Sequence, residues 1–165
     1  AAGAMGFSGD DGRTSIFDYC SIPTLVRWYN NGNCGIQKLN NKERKIRAFY
    51  KKVLRLCNGE KAISEGAFFD LMYVNYHNLN PNKQYLYLRH YENETLLIAV
   101  NFDSQDATVY ADIPQHAFDF LKIDSGTYFM KELISGKQKT VEFSSNAKFE
   151  LHIPAHNGVV WKIVK

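Results

Sequence analysis

The sequence predicts a mainly β protein, an antiparallel Greek-key β-sandwich of about eight strands, preceded by a loop and two helices. Three observations support this prediction. From Ala62 onward, apolar residues alternate with their neighbours in short runs, which is the period of a half-buried strand. Turn residues separate these runs at short spacing, as in sandwiches and barrels. Aromatic residues make up 14% of the chain, and aromatic side chains favour strands.

The N-terminal part is predicted to be a loop followed by two helices. Residues 1–22 are rich in glycine and show no hydrophobic period, which is typical of a loop. A first helix is predicted to begin at Pro23, because proline suits the first helical position, and to end at residues 30–32.

The second helix is predicted over residues 41–57. Asn40 or Asn41 can cap its N-terminus, and Gly59 is predicted to lie just past its end. Apolar residues recur at steps of three and four and form a single stripe, which consists of Ile46, Phe49, Val53, Leu56 and Cys57.

The remaining residues carry the strand pattern. Residues 84–103 predict two strands joined at a polar turn, and residues 127–143 predict a hairpin that turns at Ser135-Gly136. Residues 113–121 interrupt the alternation and are predicted to form a short helix after Pro114. The other predicted strands cover residues 69–73, 107–113, 149–153 and 159–163.

Charge is unevenly distributed and divides the chain into residues 1–60 and 61–165. The first part holds ten Lys/Arg and five Asp/Glu, and the second holds ten and twelve. The basic residues of the 41–57 helix could follow a nucleic-acid backbone, but the solvated face of an amphipathic helix is the favoured interpretation. Because the net charge is only +3, we predict no nucleic-acid partner.

The sequence shows no metal, cofactor or catalytic motif. The three cysteines form no C-x-x-C pair, and the five histidines show no zinc-ligand spacing. Glycoside hydrolysis needs two carboxylates that face each other across the bond, and no local motif pairs them here. Asp70 could face inward, or it could lie at a sheet edge. No apolar run approaches the ~20 residues that a membrane helix needs, so we predict no metal, no cofactor and no membrane span.

Three tyrosines are candidates for a surface sugar site. Tyr85, Tyr87 and Tyr91 occupy one face of a predicted strand. If they are exposed, their rings could stack on pyranose rings. The alternative is that this face is the second side of a packed core.

Five segments of the sequence form an ordered series: residues 11–19 (DGRTSIFDY), 62–71 (AISEGAFFDL), 88–90 (LRH), 100–102 (VNF) and 161–163 (WKI). In this order they resemble the end of bacterial enzymes of the α-amylase family, glycoside hydrolase family thirteen. Residues 11–19 are similar to the stretch after the eighth barrel strand, and residues 62–71 to the entry into the C-terminal β domain. Residues 88–90 resemble an arginine strand, residues 100–102 the end of a strand in Asn-Phe, and residues 161–163 a closing strand.

The resemblance implies that residues 1–60 are the end of a catalytic (β/α)8 barrel and residues 61–165 a C-terminal β domain. The family's catalytic carboxylates lie on barrel strands, and no residue here matches those motifs, so we expect no catalytic residue and no activity in this chain alone. The parent is expected to be a retaining hydrolase of α-glucans such as starch and maltooligosaccharides. In it, Asp11 and Arg13 would border the substrate cleft, unless Arg13 pairs with Asp18 to hold the loop together.

The expected partner is therefore the catalytic barrel of the same polypeptide. Two other functions remain open: an independent carbohydrate-binding β-sandwich, and a structural module whose helix stripe docks a partner. Without a neighbour for that stripe, we expect self-association of the chain or partial disorder in residues 1–60. The sequence leaves the compartment open, with a lean towards the periplasm or the cell exterior.

Overall fold

The computed structural model describes residues 22–145 and 147–164. These residues form eight strands in antiparallel sheets together with five α-helices, which confirms the predicted mainly β fold. Asp11, Arg13 and the predicted N-terminal loop, apart from Ile22, lie outside the described residues. The chain divides into two compact units between Lys52 and Val53. None of the helices in the described ranges is both long and apolar enough to cross a membrane.

In the described part of the first unit, the first helix is α1, which covers Pro23–Tyr29. Proline occupies the start of this helix, as predicted. Asn30 then adopts the left-handed conformation, with φ 47° and ψ 52°, and its N–H donates to the carbonyl of Val26. This geometry ends the helix at the predicted position, and a short 3-10 turn follows over Asn30–Gly32.

Helix α2 covers Asn41–Gly59 and starts with a capping box. The Glu43 N–H donates to Asn40 Oδ1 and the Asn40 N–H donates to Glu43 Oε2, both at 2.9 Å. Hydrogen bonds from the side chains of Arg27 and Thr24 and from the Asn40 backbone lower the pKa of Glu43 to about 2. The predicted cap at Asn40 is therefore confirmed.

The apolar stripe of α2 lacks a full cover within the described structure. No residue of this helix is buried, and Ile46 and Phe49 are 51% and 38% exposed. Gly59 is the last helical residue, not the residue beyond the end as predicted. Of the cysteines within the described ranges, Cys34 and Cys57 are free thiols.

Within the described residues, the second unit contains the end of α2, the remaining helices and all the strands. The strand predicted over residues 69–73 ends earlier than expected, at Asp70. Its Oδ1 accepts a hydrogen bond of 2.7 Å from the Met72 N–H, and this local turn directs the chain into a helix. The helices are α3 (Lys61–Ser64), α4 (Met72–Asn75) and α5 (Gln115–Leu121), and α5 confirms the predicted helix after Pro114.

The strands form two antiparallel sheets. The large sheet has the order β1-β2-β3-β8-β5-β6, and the small sheet pairs β4 with β7. The hairpin of β5 and β6 and the pair of β2 and β3 confirm the two predicted strand pairs. The strands are β1 (Ala67–Asp70), β2 (Gln84–Tyr91), β3 (Glu94–Asn101), β4 (Ala107–Asp112), β5 (Gly126–Glu132), β6 (Gln138–Phe143), β7 (Lys148–Ile153) and β8 (Asn157–Val164).

The main core lies between the two sheets. Alternate residues of the large sheet face the small sheet and α5, and together they bury one continuous apolar cluster. On β2, Leu86 and Leu88 face this core and are 1% and 0% exposed. Tyr85 and Tyr87 take the alternate positions and lie on the other face, which we call the outer face of the large sheet.

Asn101 at the end of β3 is a buried polar hub. It is 1% exposed, and its Oδ1 accepts hydrogen bonds from Gln84 Nε2 at 2.9 Å and from the Asp103 N–H at 3.0 Å. Its Nδ2 donates at 2.8 to 3.4 Å to the carbonyls of Gln105, Ile153 and Pro154. One side chain therefore joins β3, the loop after it and the connection between β7 and β8.

Candidate docking groove

The outer face of the large sheet carries a second apolar cluster. Leu96, Ile98 and Val160 are buried there against Ala62 of α3. Leu56 and Ile63 pack against the same cluster. Part of this face is thus covered by the chain that connects α2 to β1.

Hydrogen bonds and ion pairs clamp α3 onto this face. Arg89 donates from Nε to the carbonyl of Ala62 at 2.9 Å and from a terminal nitrogen to that of Ile63 at 2.7 Å. The Ala62 N–H in turn donates to the carboxylate of Glu94 at 2.8 Å. We call Arg89, Glu94 and their backbone partners in α3 the α3 clamp.

Lys162 completes the α3 clamp from β8. Its Nζ lies 2.7 Å from Glu60 Oε2 and 3.0 Å from Glu94 Oε2. Burial opposes the charge on Lys162, but hydrogen bonds to both carboxylates outweigh it and raise its pKa. One ammonium group and two carboxylates of opposite charge therefore hold the segment around α3 on the large sheet.

Beyond the clamp, the outer face opens into a groove of about 590 Å³. Three aromatic rings follow one another along it. The ring centres of Phe68 and Tyr87 are 5.4 Å apart, and those of Tyr87 and Tyr85 are 5.6 Å apart. The other residues of this docking groove are Ile63, Pro81, Asn82, Lys83, Gln84, Arg89, Ile98, Val100 and Phe102.

The docking groove leaves large apolar side chains in contact with solvent. Phe68 is 45% exposed and Phe102 is 68% exposed. Lys83 at the rim is paired with Asp103 at 2.9 Å. Because an apolar surface with a polar rim is typical of a binding site, this groove is the candidate functional site of the second unit.

The three tyrosines that the sequence groups together all lie on β2, and two of them line the docking groove. Tyr85 and Tyr87 line the docking groove. Tyr91 is not among the residues that line it, and like Tyr87 it packs against the cluster beside α3. Burial and the neighbouring Asp70 carboxylate raise the pKa of Tyr85, whose hydroxyl lies 3.3 Å from Asp70 Oδ2.

Sequence reasoning missed Phe68 and Phe102 as groove residues. The signal for Phe68 is available in the alternation of β1, since Phe69 faces the core and its neighbour must face outward. No comparable signal exists for Phe102, which lies just after β3. Its N–H donates to the carbonyl of Lys83 at 2.8 Å, and this contact holds the residue at the groove.

The described residues show where the other sequence candidates lie. Asp70 is exposed on the edge strand β1 and is engaged by Met72 and Tyr85, so it does not face inward.

Within residues 22–145 and 147–164, no group of three His, Cys, Asp or Glu side chains could hold a metal ion.

Comparison with known proteins identifies solved structures that share this fold. No family model and no curated protein matches the chain. Solved structures do match: the α-amylase from Geobacillus thermoleovorans complexed with acarbose has a TM-score of 0.56 at 17% identity, over 77% of this chain and 24% of that one. An Anoxybacillus α-amylase gives 0.52 at 17%, over 81% and 25%, and AmyP complexed with maltose gives 0.57 at 14%, over 79% and 22%.

At these identities the likeness shows the fold alone, and at that level it confirms the resemblance read from the sequence. The chain spans between 22% and 25% of the length of these three solved chains. The described residues therefore have a fold found within α-amylase structures, as one part of a longer polypeptide.

Proposed function

We propose that this chain is the non-catalytic C-terminal β domain of an α-amylase-like glycoside hydrolase, and that it stabilises the catalytic barrel of the same polypeptide. The observation that carries the proposal is the docking groove: an apolar, aromatic surface left open in a domain whose fold recurs within α-amylases. Residues 1–60 are the end of the barrel in this proposal, and residues 61–165 are the β domain.

The exposed stripe of α2 supports the same proposal. Amphipathic helices gain most of their stability by packing their apolar face, and α2 buries no residue within the described structure. An outer helix of a barrel has a neighbour for this face. In the isolated chain, the same stripe favours self-association.

The substrate class is also part of the proposal. Two of the solved proteins with this fold were captured with acarbose and maltose, which supports an α-glucan such as starch or a maltooligosaccharide as the substrate of the parent. The chemistry belongs to the barrel, where two carboxylates face each other across the sugar bond.

The isolated chain is expected to release no reducing sugar from starch. Its role is structural in this proposal, and the paired carboxylates belong to the rest of the parent. A reducing-sugar assay on purified chain, with an α-amylase as the positive control, checks this. Activity that copurifies with the chain and is retained after further purification would contradict the proposal.

Replacing Phe102 by Ser is expected to act only in the parent. In the isolated chain Phe102 is 68% exposed, so the free energy of unfolding should change by no more than about 0.5 kcal/mol. In the parent, where the groove is filled, loss of the buried ring should cost about 1–3 kcal/mol. The measurement is thermal inactivation of glucan hydrolysis in the parent, compared with thermal unfolding of the isolated chain.

Tyr110→Ser is the matched control for this experiment. Tyr110 is 51% exposed on β4, in the small sheet. Its replacement by Ser should therefore change stability by the same amount in the isolated chain and in the parent. Equal effects of Phe102→Ser in the parent and in the isolated chain would show that nothing fills the groove, and would remove the docking proposal.

A carbohydrate-binding role for the docking groove is the second candidate. The row formed by Phe68, Tyr87 and Tyr85 favours it, since aromatic rings can stack on pyranose rings. Affinity of the isolated chain for maltooligosaccharides that disappears in Tyr85→Ala would favour this candidate over docking.

A further inference from the structure

A second group of exposed aromatic residues lies where β1, α4 and α5 meet. At its centre is Phe69, which is 7% exposed. The ring centres of His116, Phe120 and Tyr73 lie 5.3, 5.8 and 6.4 Å from that of Phe69. Tyr73 and Phe120 are 53% and 57% exposed, and His116 is also exposed. We call these four residues the aromatic platform.

A partner in the docking groove does not cover the aromatic platform. Phe68 faces the groove, whereas Phe69 belongs to the main core cluster on the other face of the large sheet. Adjacent residues of a strand point to opposite faces. The exposure of Tyr73 and Phe120 therefore needs an explanation of its own.

Polar side chains of α5 border the platform. His116 and Phe120 are four residues apart and share one face of this helix, with Asp119 beside them. Gln115 Nε2 donates to Asp119 Oδ1 at 2.9 Å, and Ser145 Oγ donates to Gln115 Oε1 at 2.9 Å. These bonds hold the Asp119 carboxylate on the helix face adjacent to that of His116 and Phe120, and its remaining lone pairs can accept hydrogen bonds.

The size of the platform argues against a stable protein partner. An aromatic side chain buries about 150–250 Å² in full, so the half-exposed rings of Tyr73 and Phe120, with His116, offer roughly 300 Å². A stable protein interface needs about 800 Å² on each partner. A small ligand whose ring has an apolar face and hydroxyl groups at its rim matches this area better, because that face can stack on the exposed aromatic rings.

We propose that the aromatic platform is a surface site for a linear α-glucan, with glucosyl rings stacked on Phe120 and Tyr73. Sugar hydroxyls donate to the Asp119 carboxylate and exchange hydrogen bonds with the His116 imidazole. The choice of an α-glucan rests on the proposed function. The site would hold the polymer on the side of the β domain that faces away from the docking groove.

The test is calorimetric titration of the full chain with maltoheptaose. We expect saturable binding with a dissociation constant of about 1 mM, typical of a small open site. Phe120→Ala should weaken this binding at least tenfold and Tyr73→Ala at least threefold, because each removes a stacking ring. Both residues are more than half exposed, so circular dichroism should show an unchanged fold.

Tyr110→Ala is the matched control, since it removes an aromatic residue of similar exposure, 51%, on β4. It should leave the affinity unchanged. The proposal is overturned if maltoheptaose does not bind, if Tyr110→Ala weakens binding as much as Phe120→Ala, or if Tyr85→Ala abolishes binding while Phe120→Ala does not.

A titration with cellohexaose separates this proposal from the proposed function. No binding of this β-linked chain supports a site for α-glucans. Equal binding, with the same loss in Phe120→Ala, overturns the α-glucan assignment. Failure of the platform leaves the Phe102→Ser comparison unaffected, because that experiment concerns the opposite face of the sheet.

Discussion

Replacing Asn101 by Ala is expected to lower the free energy of unfolding by about 3–4 kcal/mol. The side chain accepts from Gln84 and Asp103 and donates to three backbone carbonyls, and it is 1% exposed. Its removal leaves several buried polar groups without a partner, and each such group costs about 1–3 kcal/mol unless water enters. The free energy of unfolding of a domain is only about 5–15 kcal/mol, so this loss is a large share of the total stability.

Urea unfolding followed by circular dichroism measures this effect. Asn93→Ala is the control, since Asn93 is exposed in the turn between β2 and β3 and should change stability by about 0.5 kcal/mol or less. If Asn101→Ala lowered the free energy of unfolding as little as this control, the hydrogen bonds of Asn101 would not stabilise the connection between β3 and the β7–β8 turn.

Replacing Gly66 by Ala is expected to destabilise the domain by about 2–4 kcal/mol. An added methyl group would lie 2.7 Å from the carbonyl oxygen of His90 and would also clash with the carbonyl oxygen of Ala62. Both are backbone atoms, so the methyl group can be accommodated only if α3 moves away from β2. That movement would pull the Ala62 carbonyl from Arg89 and loosen the α3 clamp.

Gly59→Ala is the matched control for this substitution. A methyl group at Gly59 meets nothing within 4 Å, and alanine is favoured over glycine in a helix by up to about 1 kcal/mol. We therefore expect opposite signs for the two glycine variants in urea unfolding. Hydrogen exchange of the Ala62 amide, which donates to Glu94, should also be faster in Gly66→Ala. Two variants of equal stability would mean that α3 is not held closely against β2.

The α3 clamp matters for the proposed function because it fixes how the chain enters the β domain. Glu60, Ala62 and Ile63 are tied to three different strands of the large sheet through Arg89, Glu94 and Lys162. A domain that supports its neighbour through a connecting segment needs that segment to be rigid. The clamp provides this rigidity next to the docking groove.

Two of the four aromatic residues that line the docking groove could be predicted from the sequence. Alternation along β2 puts Leu86 and Leu88 on one face and the tyrosines on the other, because side chains in a strand follow a period of two. That argument identifies Tyr85 and Tyr87, which line the docking groove, together with Tyr91, which packs beside α3 as Tyr87 also does. A period says which face a residue occupies, but it does not say what covers that face.

By itself, the sequence determined the type of most elements and the side that each buries, since periods of two and of three to four are local properties. Helix caps such as Asn40 and Asn30 are also local features, and they could be predicted from the sequence. Only the tertiary structure decided that β8 lies between β3 and β5, because strand pairing depends on contacts between distant segments. The same long-range pairing brings Phe68, Tyr87 and Phe102 to one groove, and it leaves Tyr73 and Phe120 exposed on the other side of β1.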